Sequence, residues 1–388
     1  MKIAFYPIGG KSWVAGMITL KNLFFAIRSI CGDKVKFCLI DERPKERDIP
    51  KELKSVIDEV FVLPQLRKRN ILGISDYIAK RVFFYELHKV SVIRKKGVDV
   101  VLGSAIYRKF SPIPVISWVW DFQHRHLPQL FSPEECIHRE RAFSRTAKAS
   151  SRIIAISESV KKDFETFLPR YAHKVRVIKP VSVIPESVYN TLPQSISELY
   201  NLPEKFIYLP NQLWKHKNHE VVFSALKKLK DKGEKIILAC SGNSSDYRNP
   251  EYFDYLLGKL SELNIKDQVI YLGMIPYEHV LSLMRQSICI LNPSLFEGFG
   301  LSAQEAGMLG KKTLLSDIAA HREQNLPQAT FFNPRNLDEL ETKIEEIWRQ
   351  GHPGPDPDSE EKARKNFSNH LIEEGEAFVN IVKEITDK

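Results

Sequence analysis

Pro293-Ser294-Leu295-Phe296-Glu297-Gly298-Phe299-Gly300-Leu301-Ser302-Ala303-Gln304-Glu305-Ala306-Gly307 decides how the rest of the chain is read. An apolar run, Ile288 to Leu291, ends just before it, and a helix rich in small residues is predicted from near Leu301. Between them lies a loop with two glycines and an acid, and Glu297 and Glu305 flank the helix start. Glycine lets a backbone approach a ligand closely. A helix N-terminus offers unpaired N–H groups and a positive dipole end, which suits phosphate. The two carboxylates can accept hydrogen bonds from sugar hydroxyls. Strand, loop, helix start and acids together describe a site for a phosphate joined to sugars. A plain turn with an N-capping acid explains a bare E-G-x-G fragment equally well; the wider run is the specific part.

That run resembles the E-x7-E region of the retaining family-4 glycosyltransferases, and Leu314-Leu315-Ser316-Asp317 is similar to the family's next strand. The resemblance implies an α/β protein of the GT-B fold: two Rossmann-like domains, an interdomain cleft and a C-terminal helix crossing back. It places the donor sugar on Glu297 and the nucleotide ribose on Glu305.

Composition agrees with a two-domain protein. At 388 residues the chain is too long for one typical core. Its 43% apolar and 27% charged content is that of an ordinary globular protein. Cys31, Cys38, Cys136, Cys240 and Cys289 are scattered without C-x-x-C spacing, which predicts reduced thiols in a cytosol-like compartment. No apolar run approaches the ~18 residues of a membrane span, and the first residues read as a buried strand rather than a leader. Charge is divided unevenly: residues 1–180 carry 34 Lys and Arg against 18 Asp and Glu, and the remainder 23 against 30. A basic first half suits an anionic partner, either a phospholipid surface or a lipid-diphosphate acceptor, or is simply a solvated surface. Nucleic acid ranks last, because no recognition motif accompanies the charge.

Along the chain, short β-like runs alternate with helical stretches, the pattern of a parallel sheet covered on both faces. Strands are expected at Lys2–Tyr6, Val35–Ile40, Glu59–Leu63, Val98–Leu102, Val115–Val119, Ile153–Ile156 and Lys174–Ile178. Four prolines between Pro180 and Pro203 read as a linker. The alternation restarts with Phe206–Leu209, Lys235–Cys240, Gln268–Tyr271 and Ile288–Leu291. This gives an N-terminal acceptor domain at 1–180, a linker at 181–203, a nucleotide-sugar domain at 204–358 and a returning helix at 359–388.

Ligands of such sheets sit beyond the carboxyl ends of the strands, which draws attention to the loops there. Gly9-Gly10 follows the first strand without G-x-G-x-x-G, so no NAD fingerprint is present; the pair is either a turn or, by the resemblance, a loop near the donor in which Gly10 takes part. Trp118-Val119-Trp120-Asp121-Phe122-Gln123-His124-Arg125-His126 resembles a sugar-facing segment of the family, but Trp120 stands where a His is common. Asp121, His124 and His126 are therefore all candidates to face the donor, and the two tryptophans are either core or a platform for a sugar ring. His-x-His here has no further ligand at metal spacing. Ser157 is expected to cap the helix that follows it.

In Trp214-Lys215-His216-Lys217-Asn218, Lys217 aligns with the family lysine that grips the donor diphosphate, with Lys215 beside it. An arginine common a few positions earlier is replaced by Asn211 and Gln212. Lys217 is expected to be exposed, so that its removal leaves folding intact. The resemblance further places Gly242, Met274 and the N–H groups of Phe299, Gly300 and Leu301 at the donor.

The implied function is retaining, metal-independent transfer of a hexosyl group, mannose first. The donor is a GDP- or UDP-linked sugar and no other cofactor is called for. The acceptor is a glycan or lipid-linked hydroxyl in bacterial envelope polysaccharide synthesis, at the inner face of the membrane. The competing readings are a nucleotide-sugar epimerase or phosphorylase on the same fold, and a non-catalytic nucleotide-sugar-binding subunit.

Overall fold

The structure, a computed structural model, describes residues 1–6, 14–41, 53–62, 87–103 and 113–386. The chain divides into two compact units. The first comprises Met1–Phe122, Pro133–Val181 and Asn369–Lys388, and the second Gln123–Ser132 and Ser182–Ser368.

The first unit holds strands β1 (Lys2–Phe5), β2 (Lys36–Asp41), β3 (Glu59–Val62), β4 (Val100–Leu102), β5 (Val115–Val119), β6 (Arg152–Ala155) and β7 (Val175–Val177). They form one sheet in the order β3-β2-β1-β4-β5-β6-β7, and every pairing is parallel. The strands are short apolar runs because both faces of a parallel sheet are covered. Phe37 and Leu39 of β2 enter one core, with Ile3, Phe5, Leu23 and Phe24. Cys38 and Ile40 enter the other, with Ala4, Phe61 and Val101. The first core is completed from far along the chain by Phe378, Ile381 and Val382 of the last helix, Pro357–Thr386. Burying each such side chain stabilises the unit by about 1.5–3 kcal/mol. The helix lies so close that a Cβ at Gly375 would stand 2.4 Å from the Ala26 carbonyl oxygen.

The second unit holds β8 (Ile207–Leu209), β9 (Leu238–Cys240), β10 (Val269–Tyr271), β11 (Cys289–Asn292), β12 (Thr313–Ser316) and β13 (Ala329–Phe332). The order is β10-β9-β8-β11-β12-β13, again all parallel. Cys289 and Leu291 face one core while Ile290 faces the other. After β8 the chain winds outward to β10, then returns to place β11 on the opposite side of β8. β8 and β11 therefore flank the topological switch point, the place at which open α/β sheets bind ligands.

Two expectations change. Residues 181–203 are not an open linker: from Ser182 onward they belong to the second unit and hold the helices Glu186–Asn190 and Pro193–Leu199. Val188 and Leu202 are buried there beside Phe206 and Tyr208. Pro185 and Pro193 stand at helix starts, where proline's missing N–H costs nothing. The last helix starts at Pro357, and residues 357–368 belong to the second unit. β13 was not foreseen, since only Phe332 of its four residues is buried and no apolar alternation marks it.

Candidate active site

The loops after β8 and β11 meet. Beyond β8 a single 3-10 turn, Lys215–Lys217, leads to Asn218 and the helix His219–Asp231. Asn218 has φ of 58°, in the left-handed region that asparagine tolerates better than most residues. Its side-chain amide donates to the carbonyls of Pro293 (3.1 Å) and Pro334 (3.0 Å). The Leu295 amide donates to the His216 carbonyl at 2.8 Å. These bonds tie the two loops together and bring Lys217 Nζ to 2.6 Å from Glu297 Oε1, with the side chains 9% and 11% exposed. Lys217 is thus buried, contrary to the expectation of an exposed lysine: its stem lies under the loop and its ammonium has a carboxylate to meet.

Burial, the largest single effect, pushes the Glu297 carboxyl up, but the opposing effects together, led by the charge of Lys217, outweigh it and hold the carboxyl down at about 2. Ser294 Oγ lies 2.7 Å from Glu297 Oε1 and 2.7 Å from Asn292 Oδ1, and its one proton serves either acceptor. The Ser294 carbonyl accepts from Ser316 Oγ at 2.6 Å. His216 and His219 are buried nearby. Burial, then the charge of Lys217, drives both imidazoles below their ordinary range, His219 to about 3, so both are neutral.

Gly300 starts the helix Leu301–Met308 with φ of 89°, a conformation open to glycine. Phe299 is buried at 4% exposure, and the Gln324 amide holds the carbonyls of Phe299 (2.5 Å) and Gly300 (3.1 Å) from behind. Leu301 opens the first turn, whose N–H groups face out from the helix end. One turn further in, Glu305 is buried and accepts from Tyr277 Oη at 2.7 Å. Burial raises its carboxyl to about 7 against the lowering effect of that bond.

Other residues singled out in the sequence stand as follows. Lys215 is exposed beside the pair. Met274, just beyond β10, is 66% exposed. Gly242 follows β9, and a Cβ there would sit 2.4 Å from the Asn211 carbonyl oxygen. Gly242→Ala is therefore expected to push back the strand-end loop that leads to Lys217, lowering stability in urea by about 1–3 kcal/mol. An unchanged midpoint would mean that the loop yields freely. His126 stacks on Phe296, the neighbour of Glu297, with ring centroids 4.9 Å apart. His124 is buried edge-on to Phe131. Asp121 is half-buried after β5 of the first unit, and Trp118 stacks on Trp120 while packing against the first core. Ser157 accepts from the Val160 amide and caps its helix. Gly10 lies outside the described residues. Among the described residues no three His, Cys, Asp or Glu side chains gather as a metal site.

Sequence reading missed several members. Asn218 and Ser294 carry no motif of their own. Tyr277 is the first residue of the helix Tyr277–Gln286 and carries no motif either. Arg248 pairs with buried Asp246 at 2.9 Å, donates to Gln123 at 2.7 Å and lies over Trp214, with no signal in the chain beyond its aromatic neighbours.

The family model described as "Glycosyl transferases group 1" matches residues 194–370, which contain the Lys217–Glu297 pair and Glu305. Residues 194–370 are thus similar to a group 1 glycosyltransferase domain. The chain as a whole is similar to Anabaena Alr3699/HepE, solved in complex with UDP and glucose, with a TM-score of 0.71 at 18% identity over 99% of this chain and 100% of that one. Its two parallel-sheet units are those of the GT-B fold. Among curated proteins it is 24% identical over 232 residues to the O-antigen chain mannosyltransferase RfbU of Salmonella typhimurium, covering 58% of this chain and 63% of the relative. It is 27% identical over 157 residues to the serotype-specific mannosyltransferase WbdA of Escherichia coli, covering 39% of this chain and 18% of the relative. The alignments thus span less than two thirds of either mannosyltransferase. Among the described residues, no helix is long and apolar enough to cross a membrane.

Proposed function

We propose that the protein is a retaining glycosyltransferase of surface polysaccharide assembly. It moves a hexosyl group, with mannose the leading sugar, from a nucleotide diphosphate sugar to a hydroxyl of a glycan or lipid-linked acceptor. The observation that carries this reading is the buried Lys217–Glu297 pair, formed where the loops after β8 and β11 leave the switch point, with Glu305 one helix turn beyond. The mannosyltransferase relatives and the neighbour solved with UDP support it.

In this reading the diphosphate rests on Lys217 and the N–H groups of Phe299 to Leu301, with Lys215 at the rim. Glu305 accepts from the ribose hydroxyls, and Gly242 and Met274 border the nucleotide. Glu297 orients the sugar and opposes positive charge developing at the anomeric carbon. The acceptor oxygen bonds to that carbon on the face from which the diphosphate leaves. The C–O bond to phosphate breaks, and the acceptor proton passes to the departing phosphate oxygen. The protein supplies position and fixed charge, and the diphosphate is neutralised by Lys217 and the helix end without a metal. Of the 121–126 candidates, His126 stacks on Phe296, the neighbour of Glu297. The basic first unit suits an acceptor held at an anionic membrane surface.

A thermal-shift screen of UDP, GDP, dTDP and their sugars tests the reading. The correct nucleotide at 100 times its Kd stabilises by about 2.7 kcal/mol, and its sugar should then be transferred with the anomeric configuration kept. A protein that no nucleotide stabilises is not this enzyme, and an inverted product removes the retaining assignment alone.

A further inference from the structure

One side chain beside this site has no part in the mechanism above. His321 is fully buried, with its ring against Gly300: a Cβ on that glycine would meet the imidazole Cδ2 at 3.0 Å and Nε2 at 3.1 Å. Its Nδ1 lies 2.9 Å from the Ser316 carbonyl oxygen, which can only accept, so Nδ1 carries the hydrogen. In the neutral ring Nε2 is then a bare lone pair, and that atom is buried without a hydrogen-bond partner. A buried polar atom left unsatisfied calls for an explanation. The other side chain behind this turn, Gln324, already has its amide on the Phe299 and Gly300 carbonyls.

We propose that His321 belongs to the diphosphate site and takes up a proton when a nucleoside diphosphate binds. Nε2–H then becomes a donor at the start of the helix Leu301–Met308. The inference rests on the donor-site reading above and adds to it a residue and a coupled proton. The groups acting on the ring set its state. Burial holds the imidazole below its ordinary range, Glu297 and the Ser316 carbonyl favour the charged form, and Lys217 opposes it. A diphosphate adds negative charge to the side favouring the proton. One such charge about 6 Å away, at an effective dielectric near 20, raises the ring's affinity for a proton about a hundredfold. The proton comes from solvent and is returned when the nucleotide leaves.

The test is calorimetric titration of the full chain with UDP and with GDP, in buffers of different ionisation enthalpy, for the parent and His321→Gln. Glu305 also exchanges protons on binding, but it is present in both proteins, so the difference isolates His321. The parent should take up about 0.5–1 proton more per nucleotide than the variant. Its advantage in affinity should grow as pH falls from 8.5 to 6.5. Equal proton counts together with a pH-independent affinity ratio overturn the role of His321 while leaving the donor site standing. Failure of both nucleotides to bind the parent overturns the donor site as well. Should His321→Gln not fold, 15N spectra of the parent imidazole decide: both ring nitrogens protonated in the complex supports the proposal, and a neutral Nδ1–H ring in the complex refutes it.

Discussion

Lys217→Ala should unfold about 3–5 kcal/mol more easily than the parent at pH 7, besides losing about 10²–10³ in turnover. The stability loss arises because the substitution leaves Glu297 buried without its counter-charge. The pH dependence identifies the cause. In the parent the Glu297 carboxyl is held at about 2, below its ordinary 4.5. The stability it contributes, about 3 kcal/mol, is therefore complete above 4.5 and is lost as pH falls through about 2. Lys217→Ala lacks that acid limb, because burial alone favours the protonated carboxyl, so the variant should regain ground on the parent as the solution is acidified. Lys217→Met combined with Glu297→Gln should recover most of the stability at pH 7 and none of the turnover. Urea unfolding from pH 2 to pH 8 measures all of these. A variant as stable as the parent at pH 7 would show that the pair is not closed in solution.

Glu305→Gln should do the reverse, stabilising the empty protein while weakening nucleotide binding. The Glu305 carboxyl is raised from 4.5 to about 7 by burial. A raised carboxyl contributes stability that is complete below 4.5 and is lost as pH climbs through about 7. The parent thus carries a penalty of about 3 kcal/mol at pH 8 that glutamine, which does not titrate, avoids. The variant should match the parent near pH 4.5 and exceed it by that amount at pH 8, with Tyr277 still donating to the amide oxygen. Ribose hydroxyls donate to the ionised carboxylate, so parent affinity for nucleotide gains from this residue as pH rises through 7. Removing hydrogen bonds to a charged group should cost about 1.5–3 kcal/mol of binding. Paired urea melts and calorimetry at pH 5 and pH 8 decide. A stability difference independent of pH would mean that Glu305 is solvated, and unchanged affinity would move the ribose elsewhere.

Most strands other than β13 were legible because they are short apolar runs, many ending at a glycine, proline or asparagine, and parallel sheets buried on both faces write that pattern plainly. Glu297 and Glu305 were legible because the spacing of glycines and acids around a helix start is local in the chain. What was not legible depends on contacts between distant segments. Lys217 and Glu297 are 80 positions apart, and nothing in either segment says that the lysine turns inward. The prolines of 181–203 have the composition of a linker, and only burial of Val188 and Leu202 shows them starting packed helices. His321 escaped notice because a lone histidine after a strand has no signature; its place beneath Gly300 follows from the fold of the whole unit.

The last helix has a consequence for synthesis. The first unit's sheet and helices end at Val181, yet the apolar seat formed by Ile3, Phe5, Leu23 and Phe24 is filled by Phe378, Ile381 and Val382. At about 5–20 residues per second, a ribosome needs roughly 10–40 s to make the intervening stretch. The second unit, almost contiguous in the chain, can close during that interval. The part made first is therefore the part finished last, and for those seconds it presents an open apolar groove to every other nascent chain in reach.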